Sequence, residues 1–86
     1  ISAGAVDTRG VMDFDLDEAE FARAVLSRGE RRVVVTDHSK FGRRGLISVS
    51  GFDGVTDLVS DAPPPEAIGE ALMVAGTRLV LAPKDD

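Results

Sequence analysis

Apolar residues recur at every third or fourth position between residues 16 and 28, and this spacing predicts an amphipathic helix. Asp15 is the expected N-cap, and Glu18, three residues later, completes a capping box. Acidic side chains in the first turn also suit the positive end of the helix dipole. Gly29 follows the last turn, where helices commonly end, so we expect the helix to span residues 16–28.

Continuous β-branched and apolar runs indicate strands. Three such runs occupy residues 32–36, 55–60 and 77–82, and their lack of alternation is typical of strands buried on both faces of a parallel sheet. A shorter apolar stretch predicts a further strand over residues 46–49. Helical spacing returns over residues 65–75 and predicts a second helix, which a glycine in its interior weakens.

Polar and glycine-rich segments separate these elements. Residues 1–6 predict the end of a strand followed by a turn rich in Gly and Asp, and residues 37–45 predict a polar loop. Turns are expected at residues 51–54 and 61–65, and a tail at residues 83–86. The two successive strand–helix–strand crossovers predict an α/β fold, with an open parallel sheet and helices packed on its faces.

Composition limits the classes of function. The 86 residues allow one small domain, and their net charge of −5 is unsuited to holding nucleic acid without another domain. The chain has no cysteine and one histidine, which excludes a disulfide framework, a thiolate metal site and a histidine cluster. No apolar run reaches the roughly 18 residues that a membrane helix needs, so we expect no membrane-spanning helix. Because the chain begins with Ile1 instead of Met, we expect a processed product or a piece of a longer protein.

Charge is unevenly distributed along the chain. Residues 28–44 contain six basic and two acidic side chains, whereas the remainder is strongly acidic. A basic segment in an acidic chain suggests a local anion site more than a surface for nucleic acid. The alternative is ordinary solvated surface, which charge alone does not distinguish.

Candidate chemistry lies where the predicted strands end, because ligands of open α/β sheets bind beyond the carboxyl ends of the strands. Strand 32–36 leads directly into Asp37 and the residues that follow it. Ser39 offers a hydroxyl, Lys40 offers a compact cation, and Gly42 allows a sharp turn or a close approach of the backbone to a ligand. This set suits an oxyanion such as phosphate. The alternative is an exposed loop in which the lysine serves only solubility.

Other polar groups give weaker chemical signals. His38 could act as a general base, although a single loop histidine is more often solvated or hydrogen-bonded. Ser39 and Lys40 are adjacent on extended backbone and point to opposite sides, which disfavours proton transfer within a hydrolase pair. The carboxylates at positions 13, 15, 17 and 18 look like a metal cluster, but helix capping explains three of them and the spacing of a calcium loop is missing. We therefore expect no catalytic residue, no cofactor and no metal.

Residues 33–44, with the sequence VVVTDHSKFGRR, resemble the strand and loop that mark the C-terminal sensor domain of DeoR-family transcriptional repressors. Residues 10–19 look like that family's glycine, aspartate and helix opening with Glu-Ala. Residues 56–61 look like its penultimate strand, which ends in a Ser- or Thr-Asp pair. Residues 64–82 resemble its last helix and strand, so the likeness covers nearly the whole chain in order.

The resemblance implies a three-layer fold like that of ribose-phosphate isomerase and glucosamine-phosphate deaminase, with a parallel sheet between helix layers. It also implies a phosphorylated sugar or related metabolite as the effector. Lys40 is similar in place to a phosphate-binding lysine of the deaminase relatives. On this basis we assign Asp37, Ser39, Lys40 and Gly42 to an effector site that binds phosphate.

The family also carries an N-terminal winged helix-turn-helix that binds operator DNA. By this resemblance, residues 1–86 are a single partial domain, the C-terminal portion of an effector-binding domain. The DNA-binding domain and the first half of the sensor domain, with its Gly-Thr-Thr-type phosphate loop, are absent from the sequence.

We therefore expect the effector-sensing part of a cytoplasmic DeoR-type repressor, which has no enzymatic activity and no membrane partner. It would reach operator DNA only through the missing domain. A partial sheet leaves an unpaired edge and an uncovered apolar face, so we also expect a homo-oligomer. Two alternatives stay open. One is an enzyme of the sugar-phosphate isomerase or deaminase type, with Asp13, Asp37 or Asp61 as its catalytic carboxylate. The other is a stand-alone interaction module.

Overall fold

The computed structural model describes residues 1–82, which form two α-helices and two three-stranded sheets. The strands are β1 (Ala5–Asp7), β2 (Gly10–Asp13), β3 (Val33–Thr36), β4 (Ile47–Ser50), β5 (Asp57–Ser60) and β6 (Arg78–Leu81), and the helices are α1 (Leu16–Arg28) and α2 (Glu66–Ala75). One sheet has the order β1-β2-β4 and is antiparallel, and the other has the order β3-β5-β6 and is parallel. Across these residues, no helix is long and apolar enough to cross a membrane. The tail expected at residues 83–86 lies outside the described residues.

Helix α1 has the bounds that the sequence predicts. The Asp15 side chain caps it by accepting the backbone N–H of Glu18 at 3.1 Å. Gly29 follows the helix in extended backbone with a φ of −89°, so the helix ends without a left-handed cap. Helix α1 packs against β2 and β4. Its buried residues are Ala19, Ala22 and Leu26.

Helix α2 ends at a glycine in the left-handed conformation. Gly76 has a φ of +78°, a region that favours glycine, and Thr77 donates its N–H to the Leu72 carbonyl at 3.0 Å. Ile68 and Leu72 are the buried residues of this helix, and they supply its contribution to the core. The second helix is therefore present within the predicted range.

The parallel sheet confirms the predicted arrangement of the three long apolar runs. Strands β3 and β6 both pair in parallel with the central strand β5, so that Val34, Leu58 and Leu79 lie side by side. The expectation that these strands are buried on both faces is wrong. Val34 and Leu58 are fully buried, whereas Val35 on the opposite face is 51% exposed and β6 is largely exposed. The described residues cover the second face of this sheet only in part.

The antiparallel sheet was not predicted from the sequence. A wholly parallel open sheet is wrong for this half of the molecule, because the expected turn after residue 6 contains β2, which forms a hairpin with β1. Val11 pairs with Ser50, so β4 completes the sheet from a distant part of the chain. Gly10 has a φ of +130°, and a side chain there would overlap the Ser50 carbonyl oxygen. Strands β1 (AVD) and β2 (GVMD) lack the continuous β-branched runs by which the parallel strands were predicted, so no local pattern revealed them.

A single hydrophobic core joins the two sheets. The N-terminal segment also connects them, because Ser2 forms a parallel bridge with Val35 and Val35 donates its N–H to the Ile1 carbonyl at 2.8 Å. This segment extends the parallel sheet beyond β3 before the chain enters β1. The buried core residues are Ala3, Val6, Val11, Ala19, Ala22, Leu26, Val34, Val49, Phe52, Val55, Leu58, Ile68 and Leu72.

Candidate functional site

An open groove of about 930 Å³ lies beside the carboxyl end of β3. Its lining comes from the N-terminal segment, from β3 and the loop after it, and from the end of β2 with the first turns of α1. This position agrees with the general rule that ligands of α/β sheets bind beyond the carboxyl ends of the strands. The polar residues that line the groove are Ser2, Asp13, Asp17, Glu18, Thr36, Asp37 and Lys40.

Asp37 shapes the loop that follows β3. Its Oδ1 accepts the backbone N–H of Ser39 at 2.8 Å and also accepts the Ser39 hydroxyl. The bonds from Ser39, with a smaller contribution from the charge of Lys40, hold the pKa of Asp37 below its ordinary value. A short 3₁₀ helix over His38–Lys40 results, and it turns the chain immediately after the strand.

Lys40 is the basic residue that lines the groove. Its backbone N–H is donated to the Asp37 carbonyl at 3.1 Å, which fixes the start of the side chain. The side chain is half-buried, and within residues 1–82 its ammonium group makes no ion pair or hydrogen bond. The ammonium group is therefore a positioned cation with its donors available to an anionic ligand.

Ser39 and Gly42, the other two residues assigned to the phosphate site, do not line the groove. Ser39 donates its backbone N–H and its hydroxyl to Asp37, and Gly42 donates its N–H to the Val6 carbonyl at 2.8 Å. Gly42 has a φ of +77°, and no atom lies within 4 Å of the place a Cβ would take. Of the two roles weighed for this glycine, the geometry favours the sharp turn.

His38 and Asp61 join the ends of β3 and β5. The His38 backbone N–H is donated to Asp61 Oδ1 at 2.7 Å, and the ring Nδ1 lies 2.8 Å from Asp61 Oδ2. These bonds from His38 hold the pKa of Asp61 below its ordinary value. Neither residue lines the groove, so the histidine weighed as a general base links two strand ends instead.

The basic segment does not form one anion site, which corrects the expectation drawn from its charge. Arg31 lies before β3 and pairs with Asp57 at 3.4 Å, and Arg32 donates to the Gly54 carbonyl at 2.8 Å. Both arginines therefore lie at the amino end of the parallel strands, whereas Lys40 follows the carboxyl end. The four-residue strand β3 separates the two groups of charge.

Asp13 supplies a buried carboxylate to the groove. It is 7% exposed and ends β2, and its Oδ1 accepts the Phe14 N–H at 2.7 Å. A Cβ on Gly4 would lie 3.1 Å from the same oxygen, so the backbone on this side approaches closely. From the sequence, Asp13 is part of an acidic cluster, the aspartate of the stretch that resembles the family, or a catalytic alternative. The signal that could have indicated this position is an aspartate directly at a strand-to-helix junction.

Glu18 contributes a second carboxylate to the same wall. The negative charges of Asp13 and Asp15, followed by burial and a hydrogen bond with Asp13, raise the pKa of Glu18 above its ordinary value. The start of α1 explains Asp17 and Glu18 in the sequence, whereas in the structure both residues also line the groove. Within residues 1–82, no three acidic or histidine side chains are arranged to hold a metal ion. The groove thus has Lys40 and Asp37 on one side and carboxylates alone on the other.

Comparisons with known proteins identify relatives of the chain. The glycerol-3-phosphate regulon repressor of Escherichia coli (strain K12) is 30% identical over 73 residues, which cover 84% of this chain and 29% of that protein. The HTH-type transcriptional repressor CsqR of the same strain is 27% identical over 85 residues, which cover 98% of this chain and 33% of that protein. The putative aga operon transcriptional repressor of Escherichia coli O157:H7 is 33% identical over 82 residues, which cover 94% of this chain and 30% of that protein.

These relatives are transcriptional repressors, and the chain spans about a third of the length of each. A family model described as the DeoR C terminal sensor domain matches residues 1–62, which include β1 to β5, the loop after β3 and the groove. Because this match covers well over half of the sequence, the chain belongs to the family of DeoR C-terminal sensor domains.

Proposed function

We propose that the chain is the effector-sensing part of a DeoR-type transcriptional repressor and that it binds a phosphorylated sugar or related metabolite. The effector would alter binding of operator DNA by another domain of the full-length protein. The observation that carries this proposal is the ammonium group of Lys40, which makes no ion pair within residues 1–82 and lines a groove at the carboxyl edge of the parallel sheet. Membership of a sensor-domain family supports the same conclusion.

Lys40 is the residue that would touch the phosphate. A charge-assisted hydrogen bond to a phosphate oxygen is worth roughly 1.5–3 kcal/mol. Asp37, Ser39 and Gly42 complete the proposed site by holding the loop, since their hydrogen bonds fix its turn and its contact with β1. The Ser39 hydroxyl could rotate away from Asp37 toward a bound phosphate, because hydroxyl groups reorient at little cost.

The proposal extends to the domain as a whole. We infer that residues 1–86 are part of a larger three-layer domain of the ribose-phosphate isomerase and glucosamine-phosphate deaminase type. Partial covering of the second face of the parallel sheet supports this inference, because a parallel sheet is normally covered on both faces. The threefold greater length of the relatives supports it as well.

Self-association is the second part of the proposal. Strand β6 ends the parallel sheet, and within residues 1–82 no strand pairs with its outer edge. Leu79 and Leu81 on this strand are 38% and 49% exposed. A two-fold axis would place β6 beside β6 of a second copy, and such pairing would complete the hydrogen bonds of both edges.

A regulator fits the groove better than an enzyme does. Ser39 donates its hydroxyl to Asp37 and not to His38, and neither Ser39 nor His38 lines the groove, so within residues 1–82 this pair offers the groove no nucleophile activated by an oriented base. The enzyme alternative keeps one supporting observation, because Asp13 lines the groove and could accept a proton from a bound sugar.

The test uses the full-length protein and labelled promoter DNA from its own operon. Fluorescence anisotropy is followed while a panel of sugar and polyol phosphates is added one at a time, and the same mixtures are analysed for chemical conversion. We expect at least one phosphate to change DNA affinity without being consumed. Conversion of a phosphate to a new compound would favour the enzyme, and a protein that ignores every phosphate would contradict the proposed function.

A further inference from the structure

The two sides of the groove differ in charge. The loop after β3 contributes Lys40 together with Asp37, whereas the start of α1 with the end of β2 contributes carboxylates alone, from Asp13, Asp17 and Glu18. A ligand held at Lys40 by an anionic group must therefore direct the rest of its atoms toward carboxylates. The phosphate contact alone does not account for this acidic wall.

The position of Asp13 is built into the fold. Its Oδ1 accepts N–H groups of Phe14 at 2.7 Å and Asp15 at 3.4 Å, and the Leu46 N–H is donated to its carbonyl at 3.0 Å. At 7% exposure, this carboxylate bears a larger desolvation penalty than an amide side chain would, and an apolar side chain would bear none. A carboxylate held in this way at the wall of a groove is suited to recognise a ligand group that donates hydrogen bonds.

Helix capping does not account for Glu18. The Asp15 side chain caps α1 by accepting the Glu18 backbone N–H, so the Glu18 carboxylate is not needed for that bond. The nearby charges of Asp13 and Asp15 raise the pKa of Glu18, as expected where carboxyl groups crowd together. Such crowding strengthens the repulsion of a further anion and favours hydroxyl or ammonium donors.

We propose that Asp13 and Glu18 make the groove selective for ligands with a single anionic group, namely monophosphates of neutral or amino polyols. The groove rejects ligands that carry a second anion, such as bisphosphates and phosphorylated sugar acids. This inference rests on the proposed contact between Lys40 and phosphate. It concerns the opposite end of the ligand, which donates hydroxyl or ammonium hydrogens to the two carboxylates.

The test compares ligands in matched pairs by calorimetric titration of the full-length protein. Fructose 6-phosphate is paired with fructose 1,6-bisphosphate, glucose 6-phosphate with 6-phosphogluconate, and glycerol 3-phosphate with 3-phosphoglycerate. We expect the singly anionic member of a bound pair to bind at least tenfold more tightly. Equal affinities within each bound pair would overturn the inference and leave the Lys40 contact standing.

Substitution of Glu18 tests whether the acidic wall, formed by Asp13, Asp17 and Glu18, causes the ligand preference. Glu18→Gln keeps the shape of an exposed side chain and the backbone cap, so the domain should fold normally. We expect the preference for the singly anionic ligand to fall at least fivefold in this variant. Glu20→Gln, on the same helix but outside the groove, is the control and should keep the full preference.

Lys40→Ala separates this inference from the proposed function. If Lys40→Ala loses affinity for both members of a pair, and Glu18→Gln loses the preference for the singly anionic member, both the phosphate contact and the role of the acidic wall are supported. An unchanged preference in Glu18→Gln overturns only the inference that the acidic wall makes the groove selective. Unchanged affinity in Lys40→Ala, or failure of the wild-type protein to bind any of the phosphates, overturns the phosphate contact and this inference together.

Discussion

Asp37 accepts two hydrogen bonds from Ser39, one from the backbone N–H at 2.8 Å and one from the hydroxyl. This side-chain turn bends the chain directly after a strand, because a short carboxylate can hold the backbone two residues further on. The turn presents Lys40, the next residue, to the groove. The first and third residues of the Asp-His-Ser-Lys motif therefore hold the turn, and the ammonium group of the fourth makes no ion pair within residues 1–82.

Replacement of Lys40 by alanine should weaken effector binding by roughly ten- to a hundred-and-fifty-fold, because a charge-assisted hydrogen bond is worth roughly 1.5–3 kcal/mol. The measurement is calorimetric titration of the full-length protein with whichever sugar phosphate it binds. Arg43→Ala is the matched control, since Arg43 is exposed and lies outside the groove. The Arg43 variant should lose less affinity, and its loss should shrink at higher salt. Equal affinities of the wild-type and Lys40→Ala proteins would remove Lys40 from the site.

Acid should destabilise the fold through Asp57. The hydrogen bond from Arg31 holds the pKa of Asp57 below its ordinary value, so ionised Asp57 stabilises the folded state. This contribution is complete above the unfolded pKa of about 4 and is lost as pH falls through the lower folded value. Urea unfolding at a series of pH values should therefore show the free energy of unfolding falling below about pH 4.

Asp57→Asn tests the cause of that fall. The variant should be less stable than wild type at pH 7, and its stability should change less between about pH 5 and pH 3. Glu20→Gln changes an exposed carboxylate on α1 and should follow the wild-type pH profile. Parallel profiles for the wild-type and Asp57→Asn proteins would assign the acid sensitivity to other groups.

Leu58 should be among the most sensitive positions in the core. It is fully buried on β5, between β3 and β6, and truncation to alanine would leave a cavity that the neighbouring strands fill poorly. Leu58→Ala should therefore cost about 2–5 kcal/mol in chemical denaturation. Leu46→Ala removes the same atoms from a residue that is 80% exposed and should change stability by no more than about 0.5 kcal/mol. A similar loss in both variants would contradict the packing described here.

Two glycine-to-alanine substitutions should act in opposite directions. Gly69 lies inside α2, and the nearest atom to a Cβ there is a Pro64 ring carbon at 4.0 Å, so alanine should stabilise by about 0.5–1 kcal/mol. Alanine at Gly10 should destabilise, because the φ of +130° is strained for a side chain and the Ser50 carbonyl blocks the space. Thermal melting of both variants beside wild type gives the signs. Stabilisation by Gly10→Ala would show that the β1-β2 hairpin differs from the one described.

The outer edge of β6 should mediate self-association. Leu79→Lys adds charge to this exposed edge, which should weaken pairing with a second copy while the buried core stays intact. Light scattering of the full-length protein should then show a smaller mean mass than wild type at equal concentration. Val74→Lys, on α2 at a residue that is 90% exposed, should leave the mass unchanged. An unaltered mass for the Leu79 variant would exclude this edge as the interface.

Features that depend on near neighbours in the chain were determined by the sequence itself. The bounds of α1 follow from a cap between Asp15 and Glu18, which are three residues apart, so spacing alone is enough to predict it. The three parallel strands follow from continuous apolar runs, of which the last two are separated by α2, and the family resemblance follows from the motif after β3. These signals arise from hydrogen bonds or hydrophobic spacing over a few residues, so one sequence is enough to detect them.

Features that depend on distant parts of the chain were decided by the tertiary structure. Pairing of Val11 with Ser50 creates an antiparallel sheet, and no local pattern specifies a partner so far along the chain. The same packing brings Asp13 and Glu18 to the groove that contains Lys40, and it leaves Arg31 at the other end of β3. Burial and charge at the site arise from the way two sheets share one core, so they exist only once the chain has folded.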